Sequence, residues 1–384
     1  MANDYLAHTP NARPSKNRSQ AYKGTPSPAI LAQWARKLQP LPAPVGKPPY
    51  HYNLETVIPG IGKMAEAAGK IVFHTAGDTG PYVYGSNLAD VVRAMKADLE
   101  KPAGEAPSFF YNLGDLVYTH GRYQDYYEQF YKAYQPYNAP IFSIPGNHDG
   151  DPADAEQTSL DGWVAYFMTA QPHIDPISKD APRLTMAQPN VYFTLLCPFV
   201  TIIGLYTNVP EHGVIDAAQQ QWLTNELSNA PKDKAVVICM HNPVYSFDSQ
   251  HSGSPIMGAV LQDAINQSRR VPNMVLTAHV HTYQRMEKEI IPGIPTPFFV
   301  AGNGGYYILH EIIAENGAVD PETGARLVKG QDERHGYLEL TVDASHIYGH
   351  TVMIDNITGD ADIFDTFKYS AAPVLLEEGV MVKL

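Results

Sequence analysis

Along most of this 384-residue chain, short apolar runs alternate with segments of helical spacing, and turn residues separate the two. KIVFHTA, PSFFYNL, APIFSIP, KAVVICMH and NMVLTA are rich in β-branched and aromatic residues and too short for helices, so each predicts a buried strand. Between them, Asn87–Leu99 sets Leu88, Val91, Val92 and Met95 on one helical face, and Tyr123–Tyr134 predicts an aromatic-rich helix whose tyrosines serve packing. Asp216 reads as the N-cap of a helix over AAQQQWLTNEL, and Pro255–Gln267 predicts another. Two strands are expected within 191–207, and three later ones at PFFVAG, YLELTV and IYGHTVMI. Alternation of this kind implies an α/β fold with mostly parallel pairing and antiparallel additions among the late strands.

Three stretches depart from the alternation. Residues 150–189 predict a long, polar, irregular insertion able to rim a cleft. The first fifty residues hold nine prolines and one short helical candidate, Pro28–Lys37, which reads either as an arm lying on the body or a partner subunit, or as a disordered leader. Residues after about 355 read as a tail whose apolar end, VLLEEGVMVKL, packs back on the body. The expected division is therefore an arm over 1–68, a catalytic unit over 69–355 and a tail over 356–384.

Composition narrows the partners. Lys plus Arg number 27 against 40 Asp plus Glu, a formal charge of -13. That balance argues against nucleic acid or an anionic membrane as partner, and it would repel a phosphate substrate unless cations sat in the site. Cys197 and Cys239 lie in apolar runs and are expected as buried free thiols. The first twenty residues show no apolar core of a signal peptide. The uncharged run 191–209 is broken by Pro198 and Gly204, so it predicts two strands rather than a membrane span. Together these favour a cytoplasmic location, and the arm offers a route to a homo-oligomer.

Candidate chemistry collects at the strand ends. Asp78 stands in GDTG, Asp115 and Tyr118 in GDLVY, Asn147 in GNHD, His241 in MHNPVY, and His279 with His281 in AHVH. Each piece alone is weak, because Gly-Asp is an ordinary turn and a lone tyrosine is usually core. Their shared placement is the stronger signal, since sites in open α/β sheets form at the carboxyl ends of strands. Carboxylate, phenolate, amide and imidazole groups hold hard or borderline metal ions, and this many suit two ions. Paired ions are a recurring device for hydrolysing phosphate esters.

The series GD-x-G, GD-x-x-Y, GNH-D, a strand-end His and a final H-x-H resembles the calcineurin-like metallophosphoesterase superfamily, and Tyr118 makes it similar to the purple acid phosphatase branch. Many relatives carry D-x-H at the first motif; here Gly80 replaces that histidine and Tyr118 can supply the missing ligand. The resemblance covers roughly residues 70–310. It implies a two-sheet β-sandwich flanked by helices, with a dinuclear metal site at the carboxyl ends of the strands. It also implies that Asp78, Asp115, Tyr118 and His281 hold a first metal, expected as Fe(III). Asp115, Asn147, His241 and His279 would hold a divalent Fe, Zn or Mn, with Asp115 bridging. His251, ten residues beyond His241, resembles the substrate-facing acid, and His148 a phosphate-binding histidine; Asp149 is expected to orient a neighbouring ligand. His212 and His310 are weaker candidates for the mouth. Arg269, Arg270 and Arg285 read as packing or solvated residues that could also attract anions. One departure is Ala278, where the family usually has glycine.

The leading expectation is a dinuclear acid phosphatase acting on a small-molecule phosphomonoester. A phosphodiesterase or nucleotide hydrolase with the same centre is the enzymatic alternative, and a non-catalytic scaffold that keeps the fold is the alternative from another class.

Overall fold

The structure is a computed structural model that describes Ala29, residues 36–80 and 87–384. Sixteen strands are found among the described residues. In chain order the first nine are β1 (His51–Asn53), β2 (Lys70–Ala76), β3 (Phe110–Asn112), β4 (Ile141–Ser143), β5 (Phe193–Leu196), β6 (Val200–Gly204), β7 (Ala235–Cys239), β8 (Arg270–Val271) and β9 (Met274–Thr277). The later ones are β10 (Tyr283–Ile291), β11 (Ile294–Ala301), β12 (Arg326–Gln331), β13 (Gly336–Asp343), β14 (His346–Ile354), β15 (Ala361–Ser370) and β16 (Val374–Leu375).

Fourteen of them build two large sheets, and β8 pairs with β16 in a small third one. One large sheet has eight strands in the order β1-β5-β6-β7-β9-β11-β10-β12, and the other six in the order β15-β14-β13-β2-β3-β4. β2, β3 and β4 run parallel, as do β6, β7, β9 and β11, while the late strands add on antiparallel. The parallel strands are buried on both faces, which is why they read as unbroken apolar runs. Helices flank the sheets. The helix Asn87–Asp98 turns Leu88, Val91, Val92 and Met95 inward, as its spacing predicts. Asp216 caps the helix Ala217–Asn229 by accepting a bond from the Gln219 amide at 2.7 Å, and Ser254 does the same for Pro255–Ser268. One connected apolar core runs from Leu54 to Val382, and both cysteines are free and buried in it.

Four expectations about elements are corrected. Tyr123–Tyr134 is not a regular helix but a 3-10 turn at Tyr123–Asp125 followed by a wide turn at Tyr127–Tyr131, where the Lys132 amide bonds Tyr127 five residues back. Tyr126, Phe130, Tyr131 and Tyr134 are all buried, so packing rather than helical spacing sets this segment. The insertion 150–189 is not wholly irregular: Asp161–Phe167 is a helix that buries Trp163, Tyr166 and Phe167. The tail holds a ten-residue strand, β15, and beyond it Asn266 bonds Val382 at both amide and carbonyl. Tyr283–Ile291 and Arg326–Gln331 are strands where none was expected. The helix expected over Pro28–Lys37 lies almost wholly outside the described residues.

Candidate metal centre

The two sheets meet with their parallel strands ending on the same side. Asp78 follows β2, Asp115 and Tyr118 follow β3, and Asn147 follows β4, all in the six-stranded sheet. His241 follows β7, and His279 and His281 follow β9, in the eight-stranded sheet. The chain turns sharply there, and Asp78, Asp115 and His279 take positive φ values of 52°, 55° and 67°. Such backbone is uncommon outside glycine and is held by what surrounds it.

Two groups of ligand-type atoms result. In the first, Tyr118 Oη donates to Asp78 Oδ1 at 3.0 Å, and His281 Nε2 lies 3.3 Å from the same hydroxyl and 3.5 Å from Asp78 Oδ1. In the second, Asn147 Oδ1 lies 2.9 Å from His279 Nδ1 and 3.1 Å from His241 Nε2, which is itself 3.3 Å from Asp115 Oδ2. One atom each of Asp78, Asp115 and His241 falls within 4.8 Å of the others, so Asp115 stands between the groups. All seven sequence-predicted ligands are thus brought to one place.

Neighbouring groups fix the donors. His241 Nδ1 is held by the Leu113 carbonyl at 2.9 Å and His281 Nδ1 by the Ile308 carbonyl at 2.9 Å, leaving each Nε2 free to face the site. Asp149 accepts from the amides of Asp115, Leu116, Val117 and Gly146 at 2.8 to 3.3 Å, so it holds the backbone around Asp115, as expected. Burial and the neighbouring Asp115 push its own carboxyl up to about 7. Gly114 has φ +99°, and a Cβ there would stand 2.7 Å from His241 Nδ1, so only glycine lets the two loops close.

The residues fit metal ions on three counts. The donor set mixes carboxylate, phenol, amide and imidazole. Among the described residues only histidines lie within ion-pair distance of the buried Asp78 and Asp115. Burial opposes the Asp115 charge, yet His241, His148 and His279 hold its carboxyl well below the usual range. Burial also pulls His241 down, but Asp115 carries it up to about 9. The Tyr118 phenol is raised well above its ordinary value by burial and by the Asp115 and Asp78 carboxylates, a situation that a cation reverses.

Two substitutions relative to the family pattern acquire a physical reason. A Cβ on Gly80 would stand 2.6 Å from the Tyr118 ring, so the tyrosine occupies the space a larger residue 80 would need. A Cβ on Gly77 would stand 2.4 Å from the Ala278 methyl, so glycine at 77 makes room for alanine at 278.

The remaining candidates separate. His251 reaches the second group: its ring centre is 4.8 Å from that of His279. His148 packs its ring 4.6 Å from Tyr118 and bonds the Thr119 carbonyl through Nδ1 at 2.8 Å. His310 also faces the site, with its ring 4.5 Å from His281 and 5.0 Å from His251, and burial pushes it down to about 4. His212 is buried beside Glu211, and its carbonyl accepts from Ser254 Oγ at 2.5 Å. Arg285 is engaged by Asp365 through two bonds of 2.7 and 3.0 Å, and Arg270 is buried against the Pro231 and Lys234 carbonyls, so both are structural. Sequence reasoning missed Glu211, Asp248 and Tyr306. Tyr306 packs its ring 4.1 Å from that of Tyr118, and Asp248 holds the His251 amide at 2.6 Å. Glu211 carried one usable signal: it lies in the loop after β6, on the side where the other loops gather.

Residues 71–283 match the family model of the calcineurin-like phosphoesterase. Among solved structures, a purple acid phosphatase, PPD1, from yellow lupin (Lupinus luteus) aligns with TM-score 0.57 and 18% identity over 78% of this chain and 54% of that one. The match therefore spans about half of the lupin chain. GAP50, the anchor in the inner membrane complex of Plasmodium, aligns with TM-score 0.53 and 12% identity over 79% and 89%. PhoD aligns with TM-score 0.52 and 14% identity over 81% and 72%. These likenesses are ones of fold. No curated protein sequence matches, and no helix among the described residues is long and apolar enough to cross a membrane.

Proposed function

This chain belongs to the calcineurin-like phosphoesterase family, a family of hydrolases, and from that premise we propose that it is a dinuclear phosphomonoesterase of the acid phosphatase type. The observation that carries the reading is the convergence of Asp78, Tyr118 and His281 on one side of Asp115, and of Asn147, His241 and His279 on the other. The reading rests on the complete set of seven side chains and not on the fold alone.

Asp78, Asp115, Tyr118 and His281 would hold the first ion, expected as Fe(III), because phenolate and carboxylates favour a hard trivalent cation. Asp115, Asn147, His241 and His279 would hold a divalent Fe, Zn or Mn. When bound, such a pair offsets phosphate charge and makes an attacking water more acidic. The chain's own groups do the rest. His148, on the Tyr118 side, would bind the phosphate. His251, on the His279 side, would give its proton to the departing alcohol oxygen. The catalytic unit is assigned to 69–355 on the same reading, with β1 and β15 joining its two sheets from outside those bounds.

The test is release of inorganic phosphate from p-nitrophenyl phosphate, run alongside metal analysis and visible absorption. Two metals per chain, phosphate release and a band lost in Tyr118→Phe are expected. Stoichiometric absence of metal in an inactive protein would replace this reading by a scaffold. Faster hydrolysis of bis(p-nitrophenyl) phosphate than of the monoester would replace it by a phosphodiesterase.

A further inference from the structure

One acidic side chain beside the second ligand group has no place in the reading above. Glu211 sits in the loop between β6 and the helix Ala217–Asn229, and its Oε1 lies 2.5 Å from His251 Nδ1 and 3.5 Å from His279 Nε2. The loop is a built feature. The Glu211 carbonyl accepts from Asn242 Nδ2 at 2.9 Å, next to His241, and the Val214 amide bonds the Thr207 carbonyl at 2.7 Å. On the facing loop the Asp248 carboxylate takes the amides of Gln250 and His251 at 2.8 and 2.6 Å, so the backbone of His251 is fixed as well.

The three side chains are close enough to hold an ion of their own, but the distances speak against that use. Two ligands of one tetrahedral ion at about 2.1 Å each stand about 3.4 Å apart, whereas 2.5 Å between Glu211 Oε1 and His251 Nδ1 is the spacing of a short hydrogen bond. His279 turns Nδ1 toward Asn147, and among the described residues its buried Nε2 has no hydrogen-bond partner and lies 3.5 Å from Glu211 Oε1. A histidine that binds metal through one nitrogen commonly donates its other N–H to a carboxylate. A histidine that transfers a proton through one nitrogen is commonly oriented by a carboxylate on the other. Here one carboxylate oxygen bonds the His251 ring and lies within ion-pair distance of the His279 ring.

We propose that Glu211 is a positioning residue that holds His251 with Nε2 directed at the leaving group and sets it in register with His279 at the second ligand group. This rests on the phosphomonoesterase reading. In the step concerned, the P–O bond to the alcohol breaks with its electron pair left on the alcohol oxygen. The His251 Nε2 proton converts that oxygen to a hydroxyl. The water that adds its oxygen to phosphorus gives up a proton, which restores His251. Glu211 gains and loses nothing; it fixes the tautomer and the ring angle.

The dependence on leaving group tests the role, because p-nitrophenolate departs without a proton and an alkoxide does not. In the holoenzyme, Glu211→Gln is expected to lower kcat on glycerol 2-phosphate on the order of 10- to 100-fold. That loss should exceed the loss on p-nitrophenyl phosphate at least about tenfold, with metal content and KM retained. His251→Asn should show the same discrimination, and the double variant should lose little more than His251→Asn alone. Glu211→Asp should recover part of the loss. Equal losses on both substrates, additive losses in the double variant, or loss of metal in Glu211→Gln would overturn the proposal and leave the phosphomonoesterase reading standing. Wild-type protein that hydrolyses neither monoester would overturn both.

Discussion

Strand β2 carries two clusters of the same residue types, and they differ in how their charges are met. His74, in mid-strand, bonds Tyr137 at 3.2 Å and Asp98 at 3.1 Å and lies 3.6 Å from Glu339. Lys101 spans Asp98 and Glu339 at 2.9 and 2.7 Å, and Tyr337 donates to Asp98 at 2.5 Å. Two carboxylates face one lysine, one histidine and a phenol, so the acceptors and donors of the network are matched. Asp78, just past the strand's end, faces Asp115, Tyr118 and histidines, with no lysine or arginine in ion-pair distance among the described residues. Buried charge is tolerated when paired and is costly otherwise. A satisfied network serves the fold. One short of positive charge is what a cation-dependent site looks like before its cations are counted.

Breaking the second cluster should abolish activity and spare the fold; breaking the first should do the reverse. Asp115→Asn is expected to lower kcat/KM by on the order of 10³-fold or more. Thermal melts in chelator should show a smaller loss of stability than in His74→Ala: Asn keeps an Oδ1 for the His148 amide and relieves repulsion from Asp149, which offsets part of the lost attraction of His241. Saturating metal should stabilise the wild type by about 2.7 kcal/mol at a hundredfold excess over Kd, and the variant far less. A variant that unfolds would place Asp115 in the structural class.

His74→Ala is expected to cost about 3–5 kcal/mol in urea unfolding, because it leaves Asp98 and Glu339 sharing one lysine. The folded protein should keep its kcat. A fall in kcat matching that of Asp115→Asn would mean that the clusters act as one.

The smallest effect is one of pH. Burial opposes the Asp98 charge, but His74, Tyr337 and Lys101 hold its carboxyl well below the usual range, and Glu339 is lowered in the same way. A depressed carboxyl stabilises the fold above its unfolded value, about 3.9 for Asp, and loses that contribution as pH falls toward the folded value. Chelated protein should therefore weaken between about pH 4 and 2, and Asp98→Asn should flatten that limb. An unchanged limb would show that other carboxylates govern acid unfolding.

Local pattern made much of this legible. The ligand-bearing strands announced themselves because a strand buried on both faces must be apolar throughout, and the polar residue that follows then stands out. Asp216 was readable because an N-cap is a local bond. The Tyr123–Tyr134 segment was not, because its shape is set by aromatic partners such as Tyr166 and Phe167 from the insertion. β15 was hidden because an outer strand with one exposed face carries residues such as Asp362, Thr366 and Lys368 that read as a polar tail. The pairing of Gly80 with Tyr118 could be suspected from the motifs; the space shared by Gly77 and Ala278 could not.

By itself the sequence determined the identity and order of the ligand-type residues and the alternation that puts each at a strand's carboxyl end. These are properties of short segments, written in the period of the backbone. Only the tertiary structure decided that Glu211 bonds His251 beside His279, and that His74 belongs to a closed ion network rather than to a surface. Those facts depend on segments 40 to more than 200 residues apart meeting in space, and no local pattern encodes such a meeting.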